Sequence, residues 1–110
     1  LMSARLRYFD PAQRRAGVPP DVGVLISGMT DTTTTVTFVN LSATTPRTVI
    51  VQGGAYGEHR FETVAADGRD TPVGAETFSV QLSPGAGARL VLTMKRYVNR
   101  PTVAFPWARN

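Results

Sequence analysis

Apolar and polar residues alternate with a period of two along much of this chain. That spacing belongs to strands with one buried face. In Arg89–Lys95 (R-L-V-L-T-M-K) it sets Leu90, Leu92 and Met94 on one side, and in Glu76–Leu82 (E-T-F-S-V-Q-L) it sets Phe78, Val80 and Leu82 there. Thr34–Leu41 opposes Val36 and Phe38 to Thr35, Thr37 and Val39, and β-branched residues dominate it, as strands prefer. Arg47–Gln52 and Arg60–Ala65 are two further short runs, ended by Gly53-Gly54 and by the turn pair Asp67-Gly68. Ala4–Phe9 opposes Arg5, Arg7 and Phe9 to Leu6 and Tyr8, and Asp10-Pro11 closes it. Thr102–Phe105, bounded by Pro101 and Pro106, predicts a short terminal edge strand.

One segment supports two readings. Val22, Leu25, Ile26 and Met29 fall at helical spacing behind Asp21, a candidate cap, while Val22, Val24 and Ile26 form one face of a strand. Gly23 and Gly28 weaken the helix, so a strand is favoured within an all-β chain. Residues 11–20 (P-A-Q-R-R-A-G-V-P-P) suit an ordered loop or a linker. Several short strands with frequent turns predict an all-β, immunoglobulin-like antiparallel β-sandwich. Its facing sheets are expected to meet through Val36, Phe38, Val49, Val51, Phe61, Phe78, Val80, Leu82, Leu90 and Leu92.

Composition adds boundaries. A length of 110 residues suits one domain with a core that needs no staple. With 42% hydrophobic and 18% charged residues the chain is globular in type. No apolar run is long enough to cross a bilayer, so no membrane insertion is expected. The first residues hold no apolar signal-peptide core, and Leu1 ahead of Met2 is what a fragment of a larger protein or a cloning scar would show. The absence of cysteine excludes disulfides, thiolate catalysis and Cys-ligated zinc. Of twelve cationic residues only Lys95 is not Arg, a bias that suits a GC-rich bacterial genome.

Charge is segregated. Residues 1–20 carry four Arg against Asp10, residues 21–85 three Arg against seven acids, and residues 86–110 five cations and no acid. The basic ends form an anion-binding face or, as we expect, pair with the acidic middle or with a missing neighbour. The arginines are scattered singly rather than set in a stripe among exposed aromatics, so no nucleic-acid partner is expected.

Candidate chemistry is sparse. His59 is the only histidine, which leaves no route to a catalytic triad or a multi-histidine metal site. We expect a hydrogen-bonded loop residue there, against a small polar site shared with Glu58. The run Gln52–His59 (Q-G-G-A-Y-G-E-H) has three glycines in five residues, but neither Lys-Ser/Thr nor a helix follows it, so it is no phosphate loop. Asp67, Asp70 and Glu76 lack calcium-loop spacing and are expected as turn charges. Asn40-Leu41-Ser42 matches a glycosylation sequon, which would be a chance match in the bacterial chain that the composition leads us to expect. Three aromatic residues, Tyr56, Tyr97 and the sole tryptophan Trp107, are candidate ligand-binding platforms, able to stack on a sugar ring. For Trp107 the favoured alternative is packing of the C-terminal tail.

The stretch Phe78–Leu92 (F-S-V-Q-L-S-P-G-A-G-A-R-L-V-L) resembles the last hairpin of the β-sandwich domains that close many bacterial glycoside hydrolases and related glycan-active enzymes. One strand ends in Leu-x-Pro, and the next follows a small-residue turn with alternating Leu. Thr34–Leu41 with Arg47–Gln52 is similar to an earlier strand and its partner there. The resemblance covers about half the chain and rests on hairpin chemistry. It implies a non-catalytic accessory domain that packs on a neighbouring catalytic domain of the same polypeptide, outside the cytoplasm. It matches no catalytic residue, and no cofactor or metal is expected. A carbohydrate-binding module and a stand-alone protein-interaction domain are the alternatives.

Overall fold

The computed structural model describes residues 5–109, and within them nine strands form two antiparallel sheets packed face to face. The strands are β1 Leu6–Asp10, β2 Arg15–Ala16, β3 Val22–Met29, β4 Thr33–Asn40, β5 Arg47–Gly53, β6 Arg60–Ala66, β7 Arg69–Ala75, β8 Thr77–Leu82 and β9 Gly87–Lys95. The smaller sheet runs β2-β1-β5-β8 and the larger β3-β4-β9-β6-β7. The chain is thus an all-β sandwich, and it crosses between sheets repeatedly. Ala4, expected at the start of the first strand, lies outside the described residues.

The alternation places the core as the sequence predicts. Val36, Phe38, Val49, Val51, Phe61 and Leu92 are fully buried between the sheets, with Leu6, Leu82, Leu90 and Met94 almost so. Phe78 is half-buried and meets Phe61 edge-on, with ring centroids 4.8 Å apart. Tyr8 reaches inward from β1 to the Phe38 ring, and burial pushes its phenol up to about 12.

Segment 22–29 is the strand β3. Paired with β4 from Val22↔Asn40 onward, it buries Val22 and leaves Leu25 and Met29 exposed. A bulge between Ile26 and Gly28 breaks the alternation, which is how a helical spacing arose in a strand. Residues 11–20, expected as a loop or linker, include the two-residue strand β2, and two further points differ from expectation. Strand β7 was not among the expected strands; it contains Pro72 and Gly74 and survives as the outer strand of its sheet, where proline is tolerated. Thr102–Phe105 is not a strand. The chain there runs without sheet partners into a single 3-10 turn at Pro106–Ala108, which Pro106 starts at a position where no backbone N–H is needed.

Candidate functional site

The glycine-rich loop after β5 and the segment after β9 build one end of the sandwich together. The loop closes tightly: Gly54 N–H donates to Arg5 O at 2.6 Å and His59 N–H to Gly53 O at 3.1 Å. Gly54 sits at φ +83°, and a Cβ there would collide with the Glu58 carboxylate. That carboxylate is buried and accepts the Tyr56 N–H at 2.9 Å. A Cβ on Gly53 would lie 2.7 Å from His59 O. Glycine is therefore required at both positions by backbone and packing.

The C-terminal segment is stitched onto this loop by polar contacts. Thr102 N–H donates to Tyr56 O at 2.7 Å and Asn99 N–H to Glu58 O at 3.2 Å. Tyr97 N–H donates to His59 Nδ1 at 3.1 Å, and the two rings meet edge-on with centroids 4.7 Å apart. Since Nδ1 accepts, the ring proton sits on Nε2, which is buried and has no hydrogen-bond partner among the described residues. Burial lowers the His59 pKa, Glu58 opposes the shift, and Arg96 and Arg5 reinforce it. The neutral ring is thus a structural acceptor, in keeping with the expected hydrogen-bonded loop residue.

Arg109 locks the far end. Its guanidinium pairs with Glu76 at 3.1 Å, donates to Ala104 O, and reaches the Gln52 amide oxygen. The Gln52 amide nitrogen donates in turn to Gly54 O and Ala55 O, so one buried side chain bridges tail and loop. Here a basic end pairs with the acidic middle, as charge segregation suggested; Arg47 with Asp21 at 3.2 Å is a second ion pair of the acidic middle.

Between these anchors the segment carries aromatic residues onto the outer face of the smaller sheet. Phe9 points away from the core, on the polar side of β1, yet it is only 1% exposed. Phe105 and Trp107 cover it, each edge-on to its ring, and stack on each other with centroids 5.2 Å apart. The Arg7 guanidinium lies over Phe9 and that of Arg14 over Trp107.

The three aromatic candidates therefore occupy different settings. Tyr56 and Tyr97 belong to the loop end, 50% and 61% exposed, and Tyr97 holds a positive φ of 59°. Trp107 is half-buried in the tail stack. Sequence reasoning missed the roles of Gln52, Asn40 and Arg109: Gln52 and Asn40 are single polar residues in β-branched runs and carry no periodic signal, and Arg109 lies in a tail with no periodic pattern at all. Asn40, the sequon residue, is fully buried, with its amide donating to the carbonyls of Thr45, Leu82 and Ser83. Asp67 lies in the β6–β7 turn and Asp70 in β7, and among the described residues no group of three His, Asp or Glu side chains is placed to hold a metal.

No helix among the described residues is long and apolar enough to cross a membrane. No protein-family model, curated protein or solved structure matches this chain.

Proposed function

We propose that this chain is a non-catalytic accessory module that docks on a glycan-active catalytic domain through the end built by residues 97–105 and the loop beneath them. The observation that carries this reading is the distribution of exposed apolar surface. Nine large apolar side chains are exposed among the described residues, and five of them, Tyr56, Tyr97, Val98, Val103 and Phe105, belong to this loop and tail. A concentration of apolar surface of this kind marks an interaction site. Val103, at 84% exposure, is the most open. Segment 96–109 adds three arginines and no acid, so the complementary surface is apolar with an acidic rim. The segment is rigidly anchored at Asn99, Thr102 and Arg109, which reduces the ordering cost of association.

The reading is tested by titrating the separately produced catalytic portion of the parent polypeptide with this domain. We expect a complex that Val103→Asp weakens by about tenfold or more, since a charge is then desolvated at the contact. No complex, or one indifferent to Val103→Asp, contradicts it. Binding of carbohydrate is the second reading, favoured by the exposed rings of Tyr56 and Tyr97 at the same loop end.

A further inference from the structure

The four outer strands of the two sheets are not equally protected. β2 is two residues long and carries Arg15, β3 holds a bulge, and β7 contains Pro72 and a positive-φ Gly74 beside an irregularity in its pairing with β6. These features discourage edge-to-edge pairing. β8, with the sequence T-F-S-V-Q-L, has no charge, proline, glycine or bulge, and pairs with β5 in unbroken register. Its free edge borders an apolar groove of about 550 Å³, where the sheets part between β7 and β8, lined by Val64, Val73, Phe78, Val80 and Leu90 among others.

The backbone states what kind of partner fits. Gly53 N–H donates to Glu76 O at 2.9 Å, and antiparallel pairing repeats that arrangement every second residue. Phe78, Val80 and Leu82 therefore turn their N–H and C=O groups to β5. Thr77, Ser79 and Gln81 turn theirs outward, an evenly spaced row of three donors and three acceptors. Such a row is complementary to another extended strand.

We propose that the occupant is a second copy of this chain, its β8 set antiparallel to the first about a two-fold axis through Ser79. In that register Thr77 faces Gln81 of the other copy, and Ser79 faces Ser79. All three outward residues exchange hydrogen bonds, and Phe78 lies beside Val80 of the other copy on the groove side. Polar meets polar and apolar meets apolar, and a neutral strand brings no like charges together. The smaller sheet thereby becomes continuous across two molecules. Pro72 keeps the larger sheet from following, so the association closes as an isologous dimer. The groove lining contains no residue of the loop or tail, although Glu76, paired with Arg109, directly precedes β8; the dimer is read from self-association and the docking from a different partner, so each is tested without the other.

Sedimentation velocity from micromolar to millimolar concentration tests the dimer. The wild type should shift from one chain mass to two. Ser79→Pro removes an outward N–H from each copy at the axis and should weaken association about tenfold or more, since two hydrogen bonds are lost and the ring blocks close approach. The N–H it removes does not bond β5, so the thermal midpoint should hold. Should Ser79→Pro fail to fold, Gln81→Lys decides, because it sets a cation on the same edge; Thr35→Lys, on the outer face of the larger sheet, should dimerise as the wild type does. A wild type that stays one chain at millimolar concentration overturns the proposal. So does a dimer unaffected by both edge variants, or one equally lost in Thr35→Lys.

Discussion

Gly54, His59 and Asn40 each do something that no neighbouring residue type could. Gly54→Ala places a methyl group against Glu58 in a left-handed backbone, so we expect a loss of more than about 1 kcal/mol in urea denaturation. His59 gives a pH signature. Its folded pKa is depressed, so the unfolded chain takes up the proton first as pH falls. Stability is full above the ordinary histidine range, near 6.5, and declines as pH drops through that range towards the depressed folded value. Because the chain has one histidine, thermal midpoints between pH 5 and 7 should lose most of this slope in His59→Gln; an unchanged slope refutes the assignment. Asn40→Ala removes a buried amide that donates to the carbonyls of Thr45, Leu82 and Ser83, and should cost about 1–3 kcal/mol. Of these residues, Gly54 and His59 were legible in the sequence because a unique or conformationally special residue stands out. Asn40 was legible only as a misleading sequon, since nothing local shows that the β4 end turns its side chain into the corner below Leu82.

At the scale of elements, period-two alternation identified β1, β4, β8 and β9, and short β-branched runs bounded by turns identified β5 and β6. It failed where burial is not one-sided. β7 is an outer strand with little buried area, so its sequence tolerates Pro72 and Gly74. The Thr102–Phe105 segment is held by long-range bonds, from Thr102 to Tyr56, from Asn99 to Gly57 and from Arg109 to Glu76, which no local pattern carries. The clue was at β1, where Phe9 interrupts the polar side set by Arg5 and Arg7: an outward Phe needs a cover, and Phe105 with Trp107 supplies it. Core strands and this segment should separate in experiment. Phe38→Ala should cost about 2–5 kcal/mol globally, since it empties a fully buried site. Arg109→Gln should instead speed amide exchange at Asn99 and Thr102, while β4 and β9 keep their protection. Equal acceleration everywhere would show that the tail is part of the global folding unit.

For the whole molecule, the sandwich leaves its titratable groups dispersed. Glu76 is tied to Arg109, Asp21 to Arg47, Glu62 to Arg60 and Asp10 to Arg15, while Glu58 serves its own loop. Hydrolysis of a glycosidic bond needs two carboxyls about 5–10 Å apart across a substrate, one held protonated. These five carboxylates hold turns, strands and tail in place. We propose that the chain supplies surface and no chemistry. Isothermal titration of the purified domain with a panel of soluble glycans tests it directly, because one trace reads both association and turnover. We expect at most a weak association heat that Tyr56→Ala reduces, with no continuing signal after mixing. Sustained heat of hydrolysis, or tight binding untouched by the loss of Tyr56, Tyr97 and Trp107 in turn, would contradict the account.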